Sequence, residues 1–366
     1  MIVLLRSGDP ALLERLSAVR SAGDIPLVGD DRWARAQWRA VRAAAAAAQP
    51  PAGTAWATLT SGSSGAPRIV LRSEESWAAS YAAVAGYLGV ERGDAVALPL
   101  PASSSLTLFS LAHALAAGLR PAVGAAAAGS AAALHATPQA LRAALETPAA
   151  SVPLRSALVG GSHLDPALRS RAAAAGVRLT AYYGAAELSF VAVDSGDGLR
   201  AFPGVDLDLR DGTLWVRSPF LASGYAGAPG PLRRDGAWAT VGDRAESSGG
   251  RLRLLGRADD AILSASATIV PEEVEAVLRT APGVRDAVAF GLPSGPIGAL
   301  VAALVEPESG QDIELSALRA VAAAELATAH RPRRWFAGAL PRSASGKPAR
   351  AEAARRARDG EVRSLG

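Results

Sequence analysis

The stretch Ala157-Leu-Val159, Gly160-Gly-Ser-His-Leu-Asp165, Pro166-Ala-Leu-Arg-Ser-Arg-Ala-Ala-Ala-Ala175, Gly176, Val177-Arg-Leu-Thr-Ala-Tyr182 decides the fold. Two strand-like runs, 157–159 and 177–182, flank a helical segment, 166–175. Upstream the same alternation appears, with a strand-like run at Ala95–Leu98 and a helical one at Leu106–Ala117. Strands separated by helices predict an α/β sheet with helices on its faces. Further upstream, Thr54–Thr60 reads as a strand that stops in Ser61-Gly62-Ser63-Ser64-Gly65-Ala66-Pro67. Ser73, with Glu74 and Glu75 in the first turn, is expected to cap a helix continuing to Leu88.

Downstream of the alternating region the pattern changes. From Val205 the runs are short and turn-punctuated, with Asp211-Gly212 between Leu207–Arg210 and Thr213–Arg217, as in a β-hairpin-rich module. After Gly256-Arg257 it changes again: a strand, a helix over Pro271–Arg279, strands over Asp286–Gly291 and Leu300–Glu306, and a helix over Leu315–Leu326. The fold class is α/β: a large N-terminal α/β domain with a β-rich module, residues 1–257, plus a small mobile α+β C-terminal domain, residues 258–366. The Ala-rich runs Ala43–Ala48 and Ala125–Ala133 are expected to be helix or loop filler, and no internal repeat is visible.

Composition narrows the chemistry. The 366 residues include no cysteine, which excludes a disulfide framework, a thiolate metal site and a thiol nucleophile. Four histidines, His113, His135, His163 and His330, have no helical ligand spacing, so a zinc site is not expected. The pI of about 9.9 comes from scattered arginines without interleaved aromatics, a pattern that suits a phosphate-rich small ligand better than nucleic acid. The apolar start Met1–Leu5 is too short for a signal peptide. Gly118, Arg120, Pro121 and Gly124 interrupt the Ala-rich stretch 111–134, so no membrane span is expected. The expected location is the cytoplasm. A homodimer is left open.

Lys347 is the sole lysine among 38 basic residues, in Leu340-Pro341-Arg342-Ser343-Ala344-Ser345-Gly346-Lys347-Pro348-Ala349-Arg350. Arginine is a wide planar fork, whereas lysine is a compact charge that enters a narrow site and meets one oxygen. A chain that has otherwise exchanged lysine for arginine but keeps one here points to a catalytic cation, with a chance survivor as the alternative. The turn Thr60-Ser61-Gly62-Ser63-Ser64-Gly65-Ala66-Pro67-Arg68 offers hydroxyls, converging backbone N–H groups and a guanidinium, as a phosphate cradle does. It lacks the Gly-Lys-Ser/Thr end of a Walker loop, and a plain Ser/Gly surface loop is its alternative. Tyr182-Tyr183-Gly184-Ala185-Ala186-Glu187 joins an aromatic ring suited to stacking on a base with a carboxylate suited to Mg²⁺. Val241-Gly242-Asp243 and Gly256-Arg257-Ala258-Asp259-Asp260 add a carboxylate and a guanidinium able to hold ribose hydroxyls. Singly, Asp243 and Arg257 also read as a surface ion pair and Tyr183 as a core aromatic.

Taken in order, these motifs resemble those of the adenylate-forming superfamily of acyl-CoA synthetases, adenylation domains and luciferases. The likeness extends from residue 58 to residue 350 and includes Pro271-Glu272-Glu273-Val274-Glu275, read here simply as an acidic helix start. The resemblance implies use of ATP and Mg²⁺ on a small-molecule carboxylic acid and a small domain that rotates between two half-reactions. CoA is the favoured acceptor, with a carrier protein or an amine as the alternative and, from another class, a nucleotide-binding regulator without turnover. By the same resemblance Thr60, Ser61, Gly62, Ser63, Ser64, Gly65 and Arg68 would hold the β- and γ-phosphates. Gly160, Gly161 and Ser162 would line the adenine, Tyr183 would stack on it, and Gly184 would belong to the same nucleotide site. Glu187 would hold Mg²⁺, Asp243 and Arg257 the ribose, Asp259 would be the hinge, and Lys347 the adenylation lysine. The phosphate turn begins early in this chain, at residue 60, a layout that resembles the compact o-succinylbenzoate–CoA ligases of actinobacterial menaquinone synthesis.

Four positions depart from the family pattern. Arg68-Ile69 stands for Lys-Gly, and Ala186 for the Thr that would bond the α-phosphate. Ala102-Ser103-Ser104-Ser105 replaces an aromatic-His gate, and Ala265-Ser266 replaces a Gly-Gly near which the pantetheine arm passes.

Overall fold

The computed structural model describes the chain apart from residues 61–67, 147–151, 163, 258–261, 265–266, 295–298 and 344–345, and apart from the side chains at 125, 128, 257, 263, 267 and 268. The expected alternation is present. A seven-stranded sheet runs in the order Arg200–Ala201, Ser189–Asp194, Arg178–Ala185, Ser156–Gly160, Ala133–Ala136, Ala95–Leu98, Arg120–Val123. The last five strands in that order are parallel, joined by helices that include Ser105–Ala117, Pro138–Glu146 and Pro166–Ala174, while the first two are antiparallel additions at one edge. All five residues of Ser156–Gly160 and all four of Ala133–Ala136 are buried, as expected of strands covered on both faces.

Two expectations need correction, and one strand was not anticipated. Arg68–Ser73 is a strand that pairs antiparallel with Thr54–Thr60, bringing Thr60 opposite Arg68. Its apolar core, Ile69-Val-Leu71, is too short for periodicity to separate strand from helix start. Ser73 does cap a helix, accepting from Ser76 N, but that helix is only Glu74–Ala78 and a second one, Tyr81–Leu88, follows. The run Ala125–Ala133 is not filler throughout, because after a 3-10 turn at Ala125–Gly129 its last residue opens the buried strand Ala133–Ala136.

The β-rich module contains the expected hairpin, Asp206–Arg210 with Thr213–Arg217. Asp211 and Gly212 at its turn have φ of +50° and +74°, the two positive angles a type I′ turn requires. In the C-terminal region the sheet order is Val284–Pro293, Ala299–Pro307, Arg334–Ala337, Arg363–Ser364, packed with helices Pro271–Leu278, Leu315–Glu325 and Arg350–Arg358. The buried clusters separate: among the described residues those of the large domain extend no further than Leu254, and those of the small domain begin at Ile262. Among the described residues no helix is long and apolar enough to cross a membrane.

Candidate active site

In an open α/β sheet, ligands bind beyond the carboxyl ends of the parallel strands. Three adjacent strands of this sheet end together. Ala133–Ala136 leads into Thr137, whose Oγ1 accepts from Ala140 N at 3.4 Å as the helix Pro138–Glu146 begins. Ser156–Gly160 leads into Gly161 and Ser162. Glycine is required twice here: a Cβ on Gly160 would collide with the Tyr182 ring, and Gly161 has φ +93°. Arg178–Ala185 carries Tyr183 and Gly184, then turns back through Glu187 into Ser189–Asp194, with Ser189 at φ +59°.

The small domain delivers Lys347 to these strand ends. Its turn is tight: Ser343 N donates to the Lys347 carbonyl at 2.8 Å, Gly346 N to the Ser343 carbonyl at 2.9 Å, and Arg342 bridges Pro348. Arg342 anchors the base of the turn by donating to Asp286 and Glu306, each at 2.9 Å. A Cβ built on Gly161 would lie 3.4 Å from Lys347 Cε. Gly346, at φ +79°, sits so close to Thr137 and Gln139 that its Cβ would be 3.4 Å from Thr137 Oγ1 and from Gln139 Oε1.

A second group of candidates joins the large sheet to the β-rich module. Tyr183 donates its hydroxyl to Asp243 Oδ2, and Asp243 lies opposite Arg257 in the register of strands Asp243–Ser248 and Arg251–Arg257. Glu187 is buried, at 4% exposure, and its Oε1 accepts from the Tyr225 hydroxyl at 2.8 Å. Burial first, and the Glu187 carboxylate second, push the Tyr225 phenol up, so it remains a donor. Arg68 Nε donates to the Pro229 carbonyl at 3.2 Å. Ser61, Gly62, Ser63, Ser64, Gly65 and Asp259 lie outside the described residues, as do Ala265 and Ser266.

Several residues at the site were not anticipated. Arg72 is fully buried and holds the turn that carries Glu187: Nε and Nη2 donate to the Ala186 carbonyl at 3.0 and 2.6 Å, and Nη1 to the Phe220 carbonyl at 2.7 Å. Burial lowers its pKa to about 9, with the Glu187 charge opposing that shift. Sequence offers no signal for this, since an arginine at the end of an apolar strand ordinarily points to water. Thr137-Pro138 was findable as a polar cap followed by proline at a helix start. Of the residues standing in for the gate, Ser104 caps the helix Ser105–Ala117 by accepting from Thr107 N at 3.2 Å, and Ser103 donates to Asp30 Oδ2 at 3.1 Å. Behind Gly160, Ser110 bonds His135 Nδ1 at 2.6 Å and His135 Nε2 meets the Tyr182 hydroxyl at 3.1 Å.

A cation held through one carboxylate and substrate phosphates, the usual arrangement for Mg²⁺, needs no protein cage. Among the described residues no group of three or more metal-ligating side chains exists. The buried carboxylate of Glu187, with one oxygen fixed by Tyr225, fits that sparser arrangement.

A parallel sheet whose strand ends meet a lysine-bearing turn from a small second domain is the architecture of the adenylate-forming enzymes. The chain belongs to the AMP-binding enzyme family: the family's sequence model matches residues 5–226, and that of the AMP-binding enzyme C-terminal domain matches residues 273–347. A probable 2-succinylbenzoate–CoA ligase of Mycobacterium tuberculosis is 35% identical over 228 residues, covering 58% of this chain and 57% of that protein. The 2-succinylbenzoate–CoA ligase of Salmonella typhimurium is 32% identical over 164 residues, covering 43% of this chain and 36% of that protein. The aligned part thus spans between about a third and just over half the length of these curated relatives. Among solved structures, a variant of Escherichia coli MenE with bound OSB-AMS aligns over 97% of this chain and 87% of its own, with TM-score 0.82 and 23% identity. The amide bond synthetase McbA from Marinactinospora thermotolerans aligns over 96% and 79%, with TM-score 0.72 and 23% identity. At these identities the structures establish the shared fold.

Proposed function

We propose that the protein is an AMP-forming carboxylate–CoA ligase. A carboxylate oxygen of the acid attacks the α-phosphorus of ATP, the bond to the bridging oxygen breaks, and pyrophosphate leaves. The CoA sulfur then attacks the acyl carbon and AMP leaves with the bonding pair. The observation that carries this reading is the Lys347 turn seated against Gly161 and Thr137 at the strand ends. There an ammonium would neutralise charge shared by the incoming carboxylate and the α-phosphate, an electrostatic contribution that is usually the largest in such transfers.

The remaining roles follow the same reading. Thr60, Ser61, Gly62, Ser63, Ser64, Gly65 and Arg68 hold the β- and γ-phosphates. Gly160, Gly161, Ser162, Tyr183 and Gly184 form the adenine slot, and Asp243 and Arg257 bind the ribose. Glu187 would hold Mg²⁺, which when bound offsets phosphate charge. Asp259 is the hinge between residues 1–257 and 258–366. The favoured acid is o-succinylbenzoate, supported by the names of the Mycobacterium and Salmonella relatives, which makes menaquinone synthesis the fitting context and the cytoplasm the fitting location.

ATP–pyrophosphate exchange across a panel of aromatic and short carboxylic acids tests the reading. Acid-dependent exchange, strongest with o-succinylbenzoate, is expected, and exchange with none of the acids overturns it. A second reading, an acyl adenylate passed to a carrier protein or an amine, is favoured by Ala265-Ser266 in place of Gly-Gly, because side chains there would narrow a thiol path.

A further inference from the structure

We propose that Arg142 and Glu308 form a latch that holds the small domain in the orientation with Lys347 at the strand ends, an inference that rests on the ligase reading for its catalytic consequence. Arg142 belongs to the large-domain helix Pro138–Glu146 and is buried. Its Nη2 donates to Asp165 Oδ2 at 3.1 Å, within the large domain, and its Nη1 to Glu308 Oε1 at 3.4 Å, in the small domain. The Asp165 carboxylate and the Glu308 backbone are each held by their own domain. Asp165 Oδ1 accepts from Ala167 N at 2.8 Å and caps the helix Pro166–Ala174, while Glu308 N donates to the Gly283 carbonyl at 2.8 Å.

Glu308 reports on the position of Lys347 because the two are mechanically joined. Glu308 follows the strand Ala299–Pro307, and Glu306 of that strand grips Arg342 at the base of the Lys347 turn. The start of this large-domain helix faces the small domain twice: Gly346 lies close enough to Thr137 and Gln139 that a Cβ on it would be 3.4 Å from each side-chain oxygen, and one turn later Arg142 takes Glu308. When the small domain turns away, Glu308 leaves and Arg142 keeps Asp165, so the buried guanidinium is not stranded. Glu308 therefore favours one domain orientation over the other without touching any reacting group, as a population shift demands. It is a positioning residue.

The test is Glu308→Gln, which keeps shape and removes charge. Acid-dependent pyrophosphate exchange should slow about three- to tenfold, the scale of one partly buried ion pair. Thioester formation from supplied acyl adenylate should hold or rise, with the melting temperature unchanged. A second readout needs no turnover: the chain has no cysteine, so Ser170→Cys with Ser316→Cys, both exposed, places one nitroxide on each domain for pulsed distance measurement in saturating ATP. Adding Glu308→Gln should shrink the short-distance population. Unchanged distance populations, or both half-reactions slowed equally, would overturn the latch. A parent protein that exchanges with no acid would instead refute the ligase reading, and the distances would still decide the latch.

Discussion

Lys347 and Arg72 show how differently single residues announce themselves. Lys347 was legible because the chain replaces lysine by arginine at every other basic position, and the structure sets it beside Gly161. Lys347→Ala should cost about 10²–10³ in adenylation, and Lys347→Arg nearly as much because a planar fork cannot make the point contact. Attack of the acceptor on supplied acyl adenylate should survive in both, so rapid-quench measurement of each half-reaction separates the outcomes. Arg72 was not legible, since its value lies in carbonyls from residues 186 and 220 that only the fold brings to it. Arg72→Met would leave buried carbonyls without donors and should destabilise the protein by about 2–4 kcal/mol, read as a fall in the urea midpoint. Glu187 would lose its support in that variant, so adenylation should fall further than stability alone explains.

Among the elements, those with local causes were legible. The Asp211-Gly212 turn fixes its own hairpin, and Pro166 after Asp165 starts a capped helix. The strand Arg68–Ser73 was missed because its pairing partners, Thr54–Thr60 and Gly224–Ala226, lie across loops of the sequence and no period distinguishes so short a run. Gly212→Ala, at φ +74°, should cost about 1 kcal/mol in stability, measurable by denaturation without effect on adenylation. The packing of the helix Ser105–Ala117 on the strand Ala133–Ala136 has a consequence for pH. Burial holds His113 at about 4 and His135 at about 3, below their ordinary 6.5, with His113 adding to the shift of His135. The unfolded chain takes up protons near pH 6.5 and the folded one does not, so this stability is complete above that pH and is lost as pH falls toward 4. Each histidine should contribute a slope of up to about 1.4 kcal/mol per pH unit. Urea titrations between pH 7.5 and 4.5 should show the decline, and His113→Phe should make it shallower, leaving the His135 part; a flat profile in the parent chain would refute the assignment.

At the scale of the whole molecule, order along the chain carried more than any motif. A strand-ending hydroxyl loop, an aromatic-Gly turn with its glutamate, an aspartate, a Gly-Arg junction and a terminal lysine are each ordinary, yet the fold brings Lys347 to Gly161 and Tyr183 to Asp243. The contact between domains was the part sequence could not give, because Arg142 and Glu308 are 166 positions apart and neither sits in a recognisable motif. If the small domain rotates about residue 259, Asp259→Pro, which fixes φ near −65°, should preserve one half-reaction and abolish the other. Equal loss of both would argue against rotation there. The most direct measurement is product analysis by mass spectrometry after incubation with ATP, Mg²⁺, o-succinylbenzoate and saturating CoA. The account predicts AMP, pyrophosphate and the acyl-CoA thioester in equal amounts, with all three formed about 10²–10³ times more slowly by Lys347→Ala. Acyl adenylate that accumulates without thioester would contradict CoA as acceptor, and the absence of AMP with this and every other acid tested would contradict the ligase itself.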